Sequence, residues 1–232
     1  MNFAQSTVAS VPTLSRLDDV DVLDLGNGEN VIGPGWLDAV EAHLDVVSAR
    51  KGPRALVTTA SGKFWSNGLD LQWLMSHGDQ IPAFSARVQA LLARVLTLDL
   101  PTVAAIQGHA FGAAAMLALA HDHRVMRSDR GYVCFPEVDI QIPFTDGMCD
   151  LITAKLTPAA AHESMTTARR YGGRDAAAAG LVDAAVPESE LFDESLARAR
   201  TLAPKAGATL GLIKARLYRH AAASLTEPGV RE

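Results

Sequence analysis

Leu100-Pro-Thr-Val-Ala-Ala-Ile-Gln-Gly108-His-Ala-Phe-Gly112-Ala-Ala-Ala-Met116-Leu-Ala-Leu-Ala120-His-Asp122 is the stretch from which the fold can be read. Its first part, Pro101 to Ile106, is a short apolar run with no polar alternation, the pattern of a strand buried on both faces. Gly108 closes it. From Phe111 to about Ala120 small residues dominate, which suits a tightly packed helix, and Arg124-Val-Met126 opens another strand. Strand, glycine turn, helix and strand in such quick succession is the pattern of an α/β protein.

The same alternation continues outward. On the N-terminal side, Val20 to Leu25 reads as a strand ending in the turn Gly26-Asn-Gly28. Pro34 suits an early helix position, and Trp36, Leu37, Val40, Leu44 and Val47 recur at helical spacing until Gly52-Pro53 stops the helix. Ala55 to Thr59 is a short strand, and Ala60 to Gly68 is expected as a loop. A helix is expected over 81–98, with Phe84, Val88, Leu91, Leu92 and Val95 on one face. The last third reads as helical over 158–166, 174–179, 190–202 and 206–222. Residues 1–15 are polar and aperiodic, which predicts a loose arm. The expected organisation is therefore an arm, one α/β core over 16–187, and a helical C-terminal portion over 188–232.

Bulk properties narrow the function. The chain has 232 residues, 48% hydrophobic, with a net charge of -5 and no basic block. That disfavours nucleic acid or an anionic membrane as the main partner, although a small pocket for a phosphorylated ligand needs only a few cations. The N-terminus has no basic and apolar leader pattern, and no apolar stretch approaches the ~20 residues of a membrane span. The two cysteines, Cys134 and Cys149, fit neither a disulfide scaffold nor a zinc pattern. A cytoplasmic protein is expected.

Two strand-to-helix turns could carry chemistry: Phe64-Trp-Ser-Asn-Gly68-Leu69-Asp70 and Gly108-His-Ala-Phe-Gly112-Ala113-Ala114. Small residues there let the backbone approach a ligand where a helix start presents free N–H groups. Two neighbouring clusters of this kind can hold one oxyanion; the same residues also serve plain packing. Glu137 follows Phe135-Pro136 inside an apolar edge segment. Buried, it would have a raised pKa and act as a proton carrier; exposed, it would be an ordinary strand-end glutamate.

Taken together and in this order, these motifs resemble the crotonase (enoyl-CoA hydratase/isomerase) superfamily from about Val20 to Ala215. Phe64 to Asp70 is similar to its F-x-x-G-x-D turn, and Leu100 to Gly108 to its K-P-x-I-A-A-I-x-G strand, with Leu100 where Lys is usual. Phe135-Pro-Glu137 and Gly180-Leu-Val-Asp183, ahead of Val186-Pro187, complete the series. The resemblance implies a spiral of ββα units that assembles as a trimer, or a hexamer of paired trimers, through C-terminal helices. It implies an acyl-CoA substrate, with CoA as part of the substrate and no metal or redox cofactor. It makes the N–H groups of Leu69 and Ala113 an oxyanion hole and Glu137 the acid/base. Lys63, Phe64, Ser66, Asn67, Gly68, Asp70, Gly112, Met116 and Pro136 would line the substrate groove.

Two departures bear on the reaction. Hydratases of this family use two glutamates; the first falls on Met116, so only Glu137 remains. Activating water calls for two carboxylates, whereas shifting a double bond calls for one base that removes a proton and returns it elsewhere. The expected reaction is therefore conversion of a 3-enoyl-CoA to a 2-enoyl-CoA, as in the single-glutamate 3,2-enoyl-CoA isomerases. The rivals are other acyl-CoA chemistry (hydration, hydrolysis, decarboxylation), which would use Asp139, Asp146 or His109, and a non-catalytic acyl-CoA-binding protein. The second departure is Ala113-Ala114 where Gly-Gly is common. Alanine keeps the N–H but gives up φ > 0, so the hole survives only if Ala113 needs no such conformation. Among other residues, Asp70 is expected to cap a helix, and His121 and His123 to point apart without binding metal. Lys214 is read either as a contact to the CoA phosphate of a neighbouring subunit or as part of a solvated face.

Overall fold

The computed structural model describes residues 11–227. The strands are β1 (Thr13–Leu17), β2 (Val20–Asp24), β3 (Ala55–Thr59), β4 (Phe64–Ser66), β5 (Thr102–Ile106), β6 (His109–Phe111), β7 (His123–Arg127), β8 (Val133–Cys134) and β9 (Ala184–Val186). The helices are α1 (Pro34–Ala49), α2 (Leu71–Ser76), α3 (Ile81–Thr97), α4 (Ala113–Ala120), α5 (Glu137–Ile140), α6 (Asp146–Lys155), α7 (Pro158–Thr167), α8 (Gly173–Ala178), α9 (Glu188–Leu202), α10 (Ala208–Leu217) and α11 (Arg219–Thr226).

The strands make two sheets. Six form one in the order β1-β2-β3-β5-β7-β9, parallel except for the β1–β2 hairpin, and three form a second, parallel sheet in the order β4-β6-β8. Each passage of the chain thus lays one strand in the large sheet, one in the small sheet, and then a helix: β3-β4-α2, β5-β6-α4, β7-β8-α5. That repetition is the expected spiral of ββα units.

The strict alternation of side chains along β5 divides the core. Ala104 and Ile106 face the main core with α1, α3 and α4, while Val103 and Ala105 face a second cluster under α9, with Leu191, Leu196 and Ala199. All five residues of β5 and all eight of α4 are buried. A helix buried on every side has no use for an amphipathic pattern and packs closest with small residues, which explains the alanine run.

Several expectations are corrected. The loop expected from Ala60 to Gly68 contains β4, too short at three residues for alternation to show. Of the arm, residues 1–10 lie outside the described residues, and Thr13–Leu17 pair with β2 as an antiparallel edge. The helix expected over 206–222 is two, broken at Tyr218 between α10 and α11. Helix α6 was not foreseen; Thr145 caps it by accepting from the Met148 N–H, a local signal hidden among the flanking polar residues. Glu137 lies in a short helix rather than an edge segment, so Asp139 turns away from it and is exposed.

Candidate active site at one end of the small sheet

Because β4, β6 and β8 run parallel, their C-terminal ends share one edge, and each expected functional group lies just beyond one of them. Leu69 follows β4, Ala113 follows β6 and Glu137 follows β8. The turns are pressed together. Gly68 has φ 85°, and a Cβ there would lie 2.7 Å from the Phe111 carbonyl oxygen and 3.7 Å from the Ala113 nitrogen. Only glycine accepts both that conformation and that approach.

The second turn places its conformational demand on Gly112, at φ 53° and ψ -122°. Ala113 begins α4 and is not among the described residues with positive φ. The alanine departure therefore falls where alanine is comfortable. As the first residue of its helix, Ala113 has an N–H without an intrahelical partner. Around Leu69, the hydrogen bonds Ile32 N–H to Gly68 O (2.7 Å) and Asp70 N–H to Ile32 O (3.0 Å) are made by the flanking residues. No backbone hydrogen bond among the described residues takes the Leu69 N–H. Two open amides thus sit on adjoining turns, an arrangement able to hold a negatively charged oxygen.

Glu137 lies over this junction. A Cβ on Gly112 would come within 3.3 Å of its Oε1, and its Oε2 is buried with no hydrogen-bond partner among the described residues. The residue is only 8% exposed, and burial pushes its carboxyl up to about 7. Asp21 is the other buried carboxylate among the described residues, but it belongs to the large sheet and pairs with Arg50 at 2.7 Å.

The remaining expected groove residues divide by role. Ser66 is fully buried; its Oγ donates to Asn30 O (2.7 Å) and accepts from the Gly68 N–H (3.3 Å), so it shapes the turn. Asp70 caps α2 by accepting from the Trp73 N–H at 2.9 Å, as foreseen. Asn67 is half-buried and its Nδ2 donates to Glu29 Oε2, while Lys63 is exposed with its ammonium 4.9 Å from the Phe64 ring centre. Pro136 is half-buried at the start of α5, and Met116 is buried in α4. Asn30 is a supporting residue that carried no assigned role. At φ 50° its Nδ2 donates to Gly26, Phe64 and Trp65 carbonyls, tying β4 to the preceding turn. An asparagine at the end of a glycine-rich turn, where positive φ is tolerated, was the available signal.

Three other candidates are accounted for structurally. His121 points inward, its Nε2 2.8 Å from Thr58 Oγ1 and its Nδ1 2.8 Å from Leu117 O, and burial lowers its pKa to about 4. His123 starts β7, half-buried, 3.9 Å from Asp183. Lys214 corrects both readings made for it. It is neither solvated nor available to a phosphate, but buried, donating to Leu100 O (2.8 Å) and Asp122 Oδ2 (2.6 Å).

Comparison with known proteins supports the fold and the family. The family model described as enoyl-CoA hydratase/isomerase matches residues 24–231. Enoyl-CoA delta isomerase 2, peroxisomal, of Arabidopsis thaliana is 36% identical over 187 residues, covering 77% of this chain and 78% of that protein. Enoyl-CoA delta isomerase 3 of the same plant is 36% identical over 185 residues, covering 76% and 77%. Among solved structures, a probable enoyl-CoA hydratase from Mycobacterium tuberculosis H37Rv superposes with a TM-score of 0.86 at 25% identity, covering 94% of this chain and 93% of that one. From the spiral of ββα units, the three strand-end groups and these similarities together, the chain belongs to the crotonase, or enoyl-CoA hydratase/isomerase, superfamily, close to its enoyl-CoA isomerases.

Proposed function

We propose that this protein moves the double bond of a 3-enoyl-CoA into conjugation with the thioester, using Glu137 as its only acid/base. The observation that carries the reading is one buried carboxyl, with an unpartnered oxygen and a pKa raised to about 7, over two adjoining turns with open amides. In this scheme the Leu69 and Ala113 N–H groups bind the thioester oxygen. Glu137 takes a proton from C2, the negative charge spreads into a dienolate held by those amides, and the same carboxylic acid returns the proton to C4. A carboxyl with a pKa near ambient pH suits both halves of that exchange.

Among the described residues no second buried carboxyl accompanies Glu137 at the small sheet, which favours isomerisation over hydration. Met116 is apolar, and Asp139 and Asp146 are exposed. The names of the Arabidopsis relatives, enoyl-CoA delta isomerases, point the same way. CoA enters as part of the substrate, and the scheme asks for no other cofactor. Leu212, Ile213 and Leu217 of α10 are 55–68% exposed, which supports a homotrimer or paired trimers formed through the C-terminal helices. No described helix is long and apolar enough to cross a membrane. A reducing, cytoplasmic setting suits the two free cysteines.

The test separates isomerase from hydratase. Wild-type protein should raise the ultraviolet absorbance of 3-hexenoyl-CoA as conjugation forms, and should add water to 2-hexenoyl-CoA poorly. Met116→Glu should raise 3-hydroxyacyl-CoA formation above the wild-type level, without reaching the rate of a site built to orient water. Fast hydration by the wild type would overturn the single-glutamate reading.

A further inference from the structure

The turn that carries Leu69 is not held by its own strand. β4, which leads into it, has three residues, lies at an edge of the small sheet and pairs with β6 at two positions with an irregularity between them. What steadies the turn is the segment 29–32, which runs alongside it. The Asn67 N–H donates to Glu29 O (2.9 Å), the Asp70 N–H to Ile32 O (3.0 Å), and the Gly68 N–H to Ser66 Oγ (3.3 Å). Of the four consecutive amides 67–70, only that of Leu69 has no acceptor among the described residues. Its direction is fixed by Ile32, whose N–H donates to Gly68 O at 2.7 Å. The C=O and N–H of one trans peptide unit face opposite ways, so the bond that holds Gly68 O toward Ile32 turns the Leu69 N–H away from it.

Two buried side chains anchor that segment to β4. Asn30 is 6% exposed, and Ser66 is fully buried. Asn30 Nδ2 lies 3.1 Å from both Phe64 O and Trp65 O and 3.3 Å from Gly26 O. Ser66 Oγ donates to Asn30 O at 2.7 Å. Because the same hydroxyl accepts from the Gly68 N–H, it ties the backbone of Asn30 to the peptide unit just before the open amide. Both side chains are thus occupied with the protein's own backbone.

We propose that Asn30 and Ser66 are positioning residues for the reaction, holding the Leu69 N–H at the angle from which it binds the thioester oxygen without touching the substrate themselves. The inference rests on the acyl-CoA reading above and adds to it that the rate depends on two side chains remote from the proton transfer. A hydrogen bond weakens steeply as its donor turns off line, and the loss is greatest where the oxygen carries most charge. Removing either side chain should therefore weaken the hold on the dienolate more than the hold on the substrate.

The experiment uses Ser66→Ala and Asn30→Gly, the latter removing the side-chain amide while keeping the φ of 50° accessible. Each variant is assayed for conjugation of 3-hexenoyl-CoA. Each is also combined with Glu137→Gln, which blocks turnover, to record the infrared carbonyl stretch of bound 2-hexenoyl-CoA. In both variants kcat should fall by on the order of ten- to a hundredfold, with KM within about twofold of wild type. The carbonyl stretch, lowered on binding to Glu137→Gln alone, should move back toward its value in solution. Variants that lose thermal stability but keep kcat and the carbonyl shift would overturn the proposal, leaving Asn30 and Ser66 a purely structural role. Should Asn30→Gly fail to fold, Ser66→Ala carries the same two readouts. A thioester bound to Glu137→Gln with no carbonyl shift would overturn the oxyanion reading itself and the inference with it, whereas a shift retained in the variants would overturn the inference alone.

Discussion

At the scale of single residues, the protonation of Glu137 should govern the rate. Burial raises its pKa from 4.5 to about 7, because the apolar surroundings disfavour the charged form. As a base it works ionised, so kcat/KM should rise about tenfold per pH unit below about 7 and level off above it. The sign for stability is opposite. Between 4.5 and 7 the folded state holds a proton that the unfolded chain has released, so this group's contribution falls as pH rises through that window. Glu137→Gln should therefore flatten both profiles, one read by initial rates and the other by denaturant titration. A wild-type rate profile flat from pH 5 to 8 would remove Glu137 as the base. The sequence identified this residue but not its setting: the apolar neighbours of Glu137 were visible, whereas the short α5 that turns Asp139 away was not.

At the scale of elements, the proposed oxyanion donors are backbone groups, so substitutions that preserve the N–H should be tolerated. Ala113 is the first residue of α4, a position that also accepts proline, whose missing N–H would have no helical partner there. Ala113→Gly should remain active, while Ala113→Pro should fold and lose on the order of 10²-fold or more in kcat. A folded proline variant with normal turnover would show that the carbonyl oxygen binds elsewhere. Four large-sheet strands, β2, β3, β5 and β7, and the longest helices were legible because five or more residues establish a pattern, whereas β1 was taken into the arm and the three-residue β9 went unseen. The small sheet was not legible either, since β4, β6 and β8 have only two or three residues each and are held by pairing with distant strands. Likewise, the sequence of the second turn did not tell which residue takes the positive φ, and it is Gly112, not Ala113.

At the scale of the whole molecule, the C-terminal helices are tied to the core by an ion pair between buried Lys214 and half-buried Asp122. Lys214 joins α10 to Asp122 and Leu100 beside β5, while Asp122 Oδ2 also accepts from the Thr102 N–H and Oγ1. Removing one partner of such a pair leaves a poorly solvated charge, so Lys214→Ala should cost about 3 kcal/mol of stability. Denaturant titration would measure that loss, and KM for enoyl-CoA should hold in the folded fraction. A raised KM at unchanged stability would instead return Lys214 to the substrate. No sequence pattern predicted this pair, because it joins residues 92 positions apart. The proposed reaction depends on one carboxyl acting alone, and the most direct test is the rate of thioester conjugation by Glu137→Gln beside wild type, with CoA affinity measured on both. With Glu137 as sole acid/base, kcat should fall roughly 10²- to 10⁴-fold with CoA still bound; conjugation at close to the wild-type rate would exclude it from that role.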